Sequence, residues 1–121
     1  MKTNILIIIT LIMATFASCE NEPYIHFGFD SPVTRDSKGM VVVDISHSCD
    51  RIYLSGSIRL SEGEVEVILV NPGGVVVFSK TLVAPDELNV NESFDVTYGY
   101  WELKYLSNNG KGYIDLHISN F

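Results

Sequence analysis

The stretch Glu64 to Leu82 constrains the fold more than any other, because its pattern fits two strands folded back on each other and little else. Val65, Val67 and Leu69 alternate with Glu64, Glu66 and Ile68, and Val75, Val76, Val77 and Phe78 follow Asn71-Pro72-Gly73-Gly74. One arm has a period of two residues and the other is an apolar run. Pro72 presets φ at the first central turn position, and Gly73 or Gly74 supplies the positive φ that a Cβ resists. A two-residue loop built on a proline turn would splay the strands, so the pattern predicts a three-residue loop with Gly74 at the left-handed bulge position. That register sets Glu66 opposite Lys80 and Ile68 opposite Phe78.

The rest of the chain repeats the theme. Tyr24 to Asp30 alternates Ile25, Phe27 and Phe29 with His26, Gly28 and Asp30, which predicts an edge strand; Ser31 to Gly39 reads as a mobile connection. Met40 to Ser46 is a valine-rich strand, and His47 to Asp50 turns the chain. Ile52, Leu54, Gly56, Ile58 and Leu60 share one face of the next strand, and Ser61-Glu62-Gly63 reads as a short link to an antiparallel neighbour. Ala84 to Asn91 reads as a loop with one helical turn at Pro85 to Leu88. Ser93 to Thr97 is a short strand, and Tyr98 to Tyr105 is another. A turn is expected at Ser107-Asn108-Asn109-Gly110, before a return through Tyr113 to Ile118. The expectation is therefore all-β: an antiparallel two-sheet sandwich of about seven strands.

The N-terminus is set apart. Lys2 and the apolar run Ile5 to Phe16 have the form of a signal peptide, too short for the roughly 20 apolar residues a bilayer span needs. Phe16-Ala17-Ser18-Cys19 resembles a bacterial lipobox, with Phe16 where leucine is usual. The resemblance implies cleavage after residue 18 and acylation of Cys19, so that the membrane is reached through a lipid anchor; an ordinary secretory peptide is the alternative, and would leave Cys19 free to pair with Cys49. The division expected is 1–18 leader, 19–39 tether with a possible edge strand, and 40–121 folded domain. Without Lys2, seven basic face fifteen acidic side chains, a balance that argues against nucleic acid and anionic lipid as partners. Glu20 and Glu22 beside the anchor resemble a surface-export signal, so the expected location is the outer membrane, on its periplasmic side or at the cell surface.

The runs "SGSIRLSEGEVEVILVNPGGVVVFSKTL" and "GYWELKYLSNNGKGYIDLHI" together resemble a family of small uncharacterised immunoglobulin-like lipoproteins from Gram-negative gut anaerobes. The resemblance covers roughly residues 40 to 121. It implies an immunoglobulin-like sandwich and no known activity, although the Cys-Trp-Cys set of antibody domains is missing.

Enzymatic patterns are absent. There is no Gly-x-Ser-x-Gly elbow, phosphate loop, His-Glu-x-x-His or Cys-x-x-Cys, so no catalytic residue and no cofactor are assigned. His47 with Cys49 lacks the further ligands a zinc site needs. Glu62, Glu64 and Glu66 form an acidic stripe open to calcium or a basic partner, or simply to solvent. The aromatic residues are more telling: Tyr98, Tyr100 and Tyr105 are the candidate ligand-binding residues, with Trp101 assigned to the core. The function expected is a non-enzymatic, monomeric binding or structural module for an envelope protein or glycan. Inhibition of a secreted cysteine peptidase, through Ser31 to Gly39 or Ala84 to Asn91, is the alternative.

Overall fold

The computed structural model describes residues 26–45 and 51–120. The expectations about Cys19, His47 and Cys49 lie outside these residues. Six strands form one antiparallel sheet: β1 (His26–Val33), β2 (Lys38–Ile45), β3 (Arg51–Val70), β4 (Val76–Val83), β5 (Glu87–Asp95) and β6 (Gly99–Ser119).

Two of these strands are more than twice as long as the others, and they organise the rest. β3 and β6 pair along nearly their whole length. On the far side of β6, β1 pairs with residues 112–119 and β2 with 99–106. On the far side of β3, β5 pairs with 51–59 and β4 with 64–70. The chain is thus four long lines of strand, two of them interrupted by a turn, with every line bent at the same height.

That bend corrects two expectations. Ser61-Glu62-Gly63 and Ser107 to Gly110 do not reverse the chain, and the strands they were expected to separate are single strands. The register of β3 on β6 shifts between Leu60 and Glu62 and again between Glu62 and Glu64. These shifts are bulges, which bend a strand without ending it. Gly63 has φ of +71° and Asn109 of 58°, and a Cβ on Gly63 would collide with the Asn109 carbonyl. Residues that favour turns lie side by side on paired strands here and make one crease.

The two interrupted lines meet the same crease. Ser37 N–H donates to the Thr34 carbonyl (3.2 Å), while Ser107 N–H and Asn109 N–H donate to the carbonyls of Ser37 (2.9 Å) and Arg35 (2.8 Å). The buried Ser107 hydroxyl donates to the Thr34 carbonyl (2.7 Å) and accepts from Gly110 N–H (3.0 Å). Opposite, Ala84 N–H donates to the Gly63 carbonyl (2.9 Å) and Leu60 N–H to Asp86 (3.1 Å). Ser31 to Gly39 is therefore strand, a tied turn and strand, and Ala84 to Asn91 is a turn that runs into β5.

Side chains of the two halves meet across the crease. Residues 96–98 alone connect the end of β5 in one half to the start of β6 in the other. Such a link reaches at most about 14 Å, so the end of β5 and the start of β6 lie within that distance. Ring contacts cross the gap: Phe29 meets Tyr105 edge-on at 4.9 Å, and Phe94 lies 6.5 Å from Trp101. Ile52, Leu54, Ile58, Leu116 and Ile118 from one half join Val65, Leu69, Trp101 and Leu103 from the other in a single buried cluster. The count of six strands, with two running through both halves, departs from the separate sheets of an immunoglobulin domain.

The opening hairpin keeps its predicted turn and loses its predicted register. Gly74 N–H donates to the Asn71 carbonyl and Asn71 N–H to Val75, both at 2.9 Å, which makes a three-residue loop. Gly74 has φ of +82°. The Asn71 side chain also accepts from Gly73 N–H (2.9 Å) and Val75 N–H (3.0 Å). Val70 faces Val76, but Leu69 faces Phe78, so Val77 is an extra residue. Beyond that bulge Glu66 faces Thr81 and Ile68 faces Ser79, one residue away from the expected partners.

Candidate binding face

Alternation gives each half an outer face, and the two differ sharply. Over β1, β6, β3 and β5 the outward rows are polar: Pro32, Tyr113, Arg59 and Glu87; Asp30, Asp115, Ser57 and Asn89; Gly28, His117, Ser55 and Asn91. Asp30 faces Asp115 across a strand pair, an arrangement that like charges disfavour. Each carboxylate has a local partner. The Tyr113 hydroxyl donates to Asp30, His117 Nδ1 lies 3.3 Å from Asp115, and the His26 and His117 rings are 4.4 Å apart. The hydrogen bond to Asp30, reinforced by burial and by both carboxylate charges, raises the Tyr113 hydroxyl above its ordinary value of 10.0, because ionising it would break that bond and add negative charge beside the pair. At the edge, Arg51 binds Asp95 at 2.7 Å and Ser93 at 2.9 Å.

Over β2, β6, β3 and β4 the outward rows mix apolar and charged side chains, half of the positions being apolar: Val42, Glu102, Val70 and Val76; Met40, Lys104, Ile68 and Ser79; Lys38, Leu106, Glu66 and Thr81. Met40, Val42, Val76 and Leu106 are each about half exposed. The only ion pair within these rows joins Lys104 and Glu102 at 3.5 Å among the described residues. A depression of about 550 Å³ opens between Lys38, Met40, Glu66, Ile68, Lys104 and Leu106.

The candidate tyrosines separate. Tyr100 is 64% exposed and continues the apolar face opposite Asp44, and Tyr98 is 58% exposed in the 96–98 link. Pro72 of the hairpin turn lies against Gly99 between them, close enough that a Cβ there would come within 2.9 Å. This brings exposed Val75 to the same end. Tyr105 is different. It is buried against Phe29, with its hydroxyl 3.4 Å from the Ser37 hydroxyl, and so belongs to the core. Trp101 is buried as expected, donating to the Thr97 carbonyl at 2.8 Å. Among the described residues no three His, Asp or Glu side chains converge to hold a metal, and register shifts break the Glu62, Glu64, Glu66 stripe.

Sequence reasoning missed Met40, Val42, Val76 and Leu106. A signal was present: Met40 to Val43 and Val75 to Phe78 are unbroken apolar runs, which put apolar side chains on both faces of a strand.

No family model matches this chain, and no curated protein matches it. Among solved structures it is similar to the insecticidal delta-endotoxin Cry8Ea1 of Bacillus thuringiensis, with a TM-score of 0.45 and 14% identity over 84% of this chain. The chain spans 20% of the length of that toxin. It is also similar to TmCBM61, solved in complex with β-1,4-galactotriose, with a TM-score of 0.45 and 12% identity over 81% of this chain and 70% of that one. The Drosophila melanogaster CENP-C cupin domain matches with a TM-score of 0.32 and 14% identity, over 84% and 77% of the two chains. Similarities at these scores carry no argument about ligand or activity.

Proposed function

We propose that the chain is a non-catalytic binding module of the cell envelope, a β-sandwich held by a lipid at Cys19 and engaging a protein through the outer face of β2, β6, β3 and β4. The observation that carries this reading is the distribution of exposed apolar side chains. Met40, Val42, Val75, Val76, Tyr98, Tyr100 and Leu106 gather on that face and its end, and exposed apolar side chains set among polar ones in this way mark interaction surfaces. Lys38, Glu66, Lys104 and Glu102 supply charge around and within it, as partner selection requires.

Nothing favours the inhibitor reading. Both segments that would enter a peptidase cleft have backbone groups bonded at the crease. The test is capture of envelope proteins by the mature chain, compared with Tyr100→Ala and Val42→Asp. Loss of the captured partner in both variants, with folding intact, supports the face; undiminished capture in both overturns it.

A further inference from the structure

Strand edges need guarding, because they present unpaired N–H and C=O groups to any other strand. Three of the four edge strands here carry a guard. β1 contains Pro32. β4 has its bulge at Val77, and Lys80 faces Val67, a position on the inward side. β5 places Glu92 opposite buried Leu54, again on the inward side. Inward-pointing charges of this kind oppose edge-to-edge pairing.

β2 has none of these. Lys38–Ile45 pairs with β6 without a register shift, contains no proline, and has Gly39, Val41, Val43 and Ile45 at its inward positions. Among the described residues β6 is its only strand partner. Its outward side chains run Lys38, Met40, Val42, Asp44, with opposite charges at the two ends.

We propose that this edge pairs with a second copy of the chain, β2 against β2, antiparallel about a two-fold axis at Val41. In that register Lys38 faces Asp44 of the second copy, Met40 faces Val42, and the same contacts recur on the other side of the axis. A two-fold interface must be self-complementary in this way, and opposite charges set across antiparallel strands fix its register. Centring on Met40 or Val42 leaves both charges without a partner, and parallel in-register pairing sets Lys38 beside Lys38. The join also lays the two apolar outer faces side by side as one surface. The edge thus argues for a dimer where the sequence alone suggested a monomer.

The test is sedimentation and light scattering on the chain from residue 19 onward, carrying Cys19→Ser to keep it unlipidated, from micromolar to near-millimolar concentration. The expected result is a concentration-dependent dimer, lost in Asp44→Lys and in Lys38→Asp, and regained in the double variant Lys38→Asp/Asp44→Lys. These side chains are exposed, so the single variants should keep the wild-type circular dichroism spectrum. A chain that stays monomeric at every concentration overturns the proposal. So does a dimer indifferent to the single variants, and so does a monomer that instead takes up an extended peptide on β2.

Discussion

The two halves of the folded sheet have the same interior and opposite exteriors. Ile58 and Leu116 in one half are as dry as Val65 and Leu103 in the other. Outside, one half shows serines, asparagines and a partnered pair of aspartates, and the other sets valine, isoleucine, methionine and leucine among lysines and glutamates. Because β3 and β6 pass through both halves, this contrast arises within single strands. Residues 51–60 of β3 alternate Ile and Leu with Arg, Tyr and Ser, while 64–70 put Ile68 and Val70 on the outward side. The lesson is that a core demands only one apolar face, so apolar residues on the second face have to be explained by something other than folding.

The strongest test of shared interiors is removal of a buried leucine from each half. Leu116→Ala and Leu103→Ala should each cost about 2–5 kcal/mol. Trp101 fluorescence and far-ultraviolet circular dichroism should give one coincident urea transition in both variants. Separate transitions would show that the halves fold independently and would break the comparison at its root.

The crease that joins the halves is tested by a pair of glycines. Gly63→Ala combines positive φ with a collision against β6 and should cost more than about 2 kcal/mol. Gly74→Ala has similar φ but nothing within 4 Å, and should cost only about 1 kcal/mol. Equal losses in chemical denaturation would mean that the crease is no more crowded than an open turn.

The exteriors are separated by binding. Tyr100→Ala should change stability by less than about 0.5 kcal/mol while weakening a captured partner by roughly tenfold, about 1.4 kcal/mol. Tyr113→Phe on the polar face should leave that affinity unchanged. A partner lost with Tyr113→Phe and kept with Tyr100→Ala would exchange the roles of the two faces.

The smallest effect is a pH dependence confined to the polar face. Tyr113 holds its proton more tightly folded than unfolded, so its contribution is fully present below the ordinary tyrosine value and fades as pH rises through the folded one. In a titration of phenolate absorbance, Tyr113→Phe should remove a late-ionising step that the wild-type chain shows. A titration identical in the variant would show that Asp30 does not hold the hydroxyl in solution.

Much of this was legible. Alternation located the inward residues of β3 and β6 almost without error, and the hairpin loop at Gly74 followed from proline and glycine chemistry. What failed was the meaning of Ser61-Glu62-Gly63 and Ser107 to Gly110. Glycine and asparagine mark positive φ, and positive φ serves a bulge as well as a turn. Only the alignment of the two stretches on neighbouring strands decides between them, and that alignment is a long-range fact. The same limit hid Asp30 opposite Asp115. Tyr105 shares the inward parity of Trp101 and Leu103, and that parity, which its aromatic type does not reveal, puts it in the core.

The long central strand also sets an order of events. β6 lies between β3 and the β1–β2 line, yet it is the last strand along the chain. Before residues 99–119 have been synthesised, β3 can pair with β4 and β5, while β1 and β2 have no partner among the described residues. His26 waits for Ser119, and contacts of such separation make folding slow. A growing chain of this design keeps β1 and β2 unsupported until residues 99–119 have been made, so its assembly closes from the end of synthesis backwards.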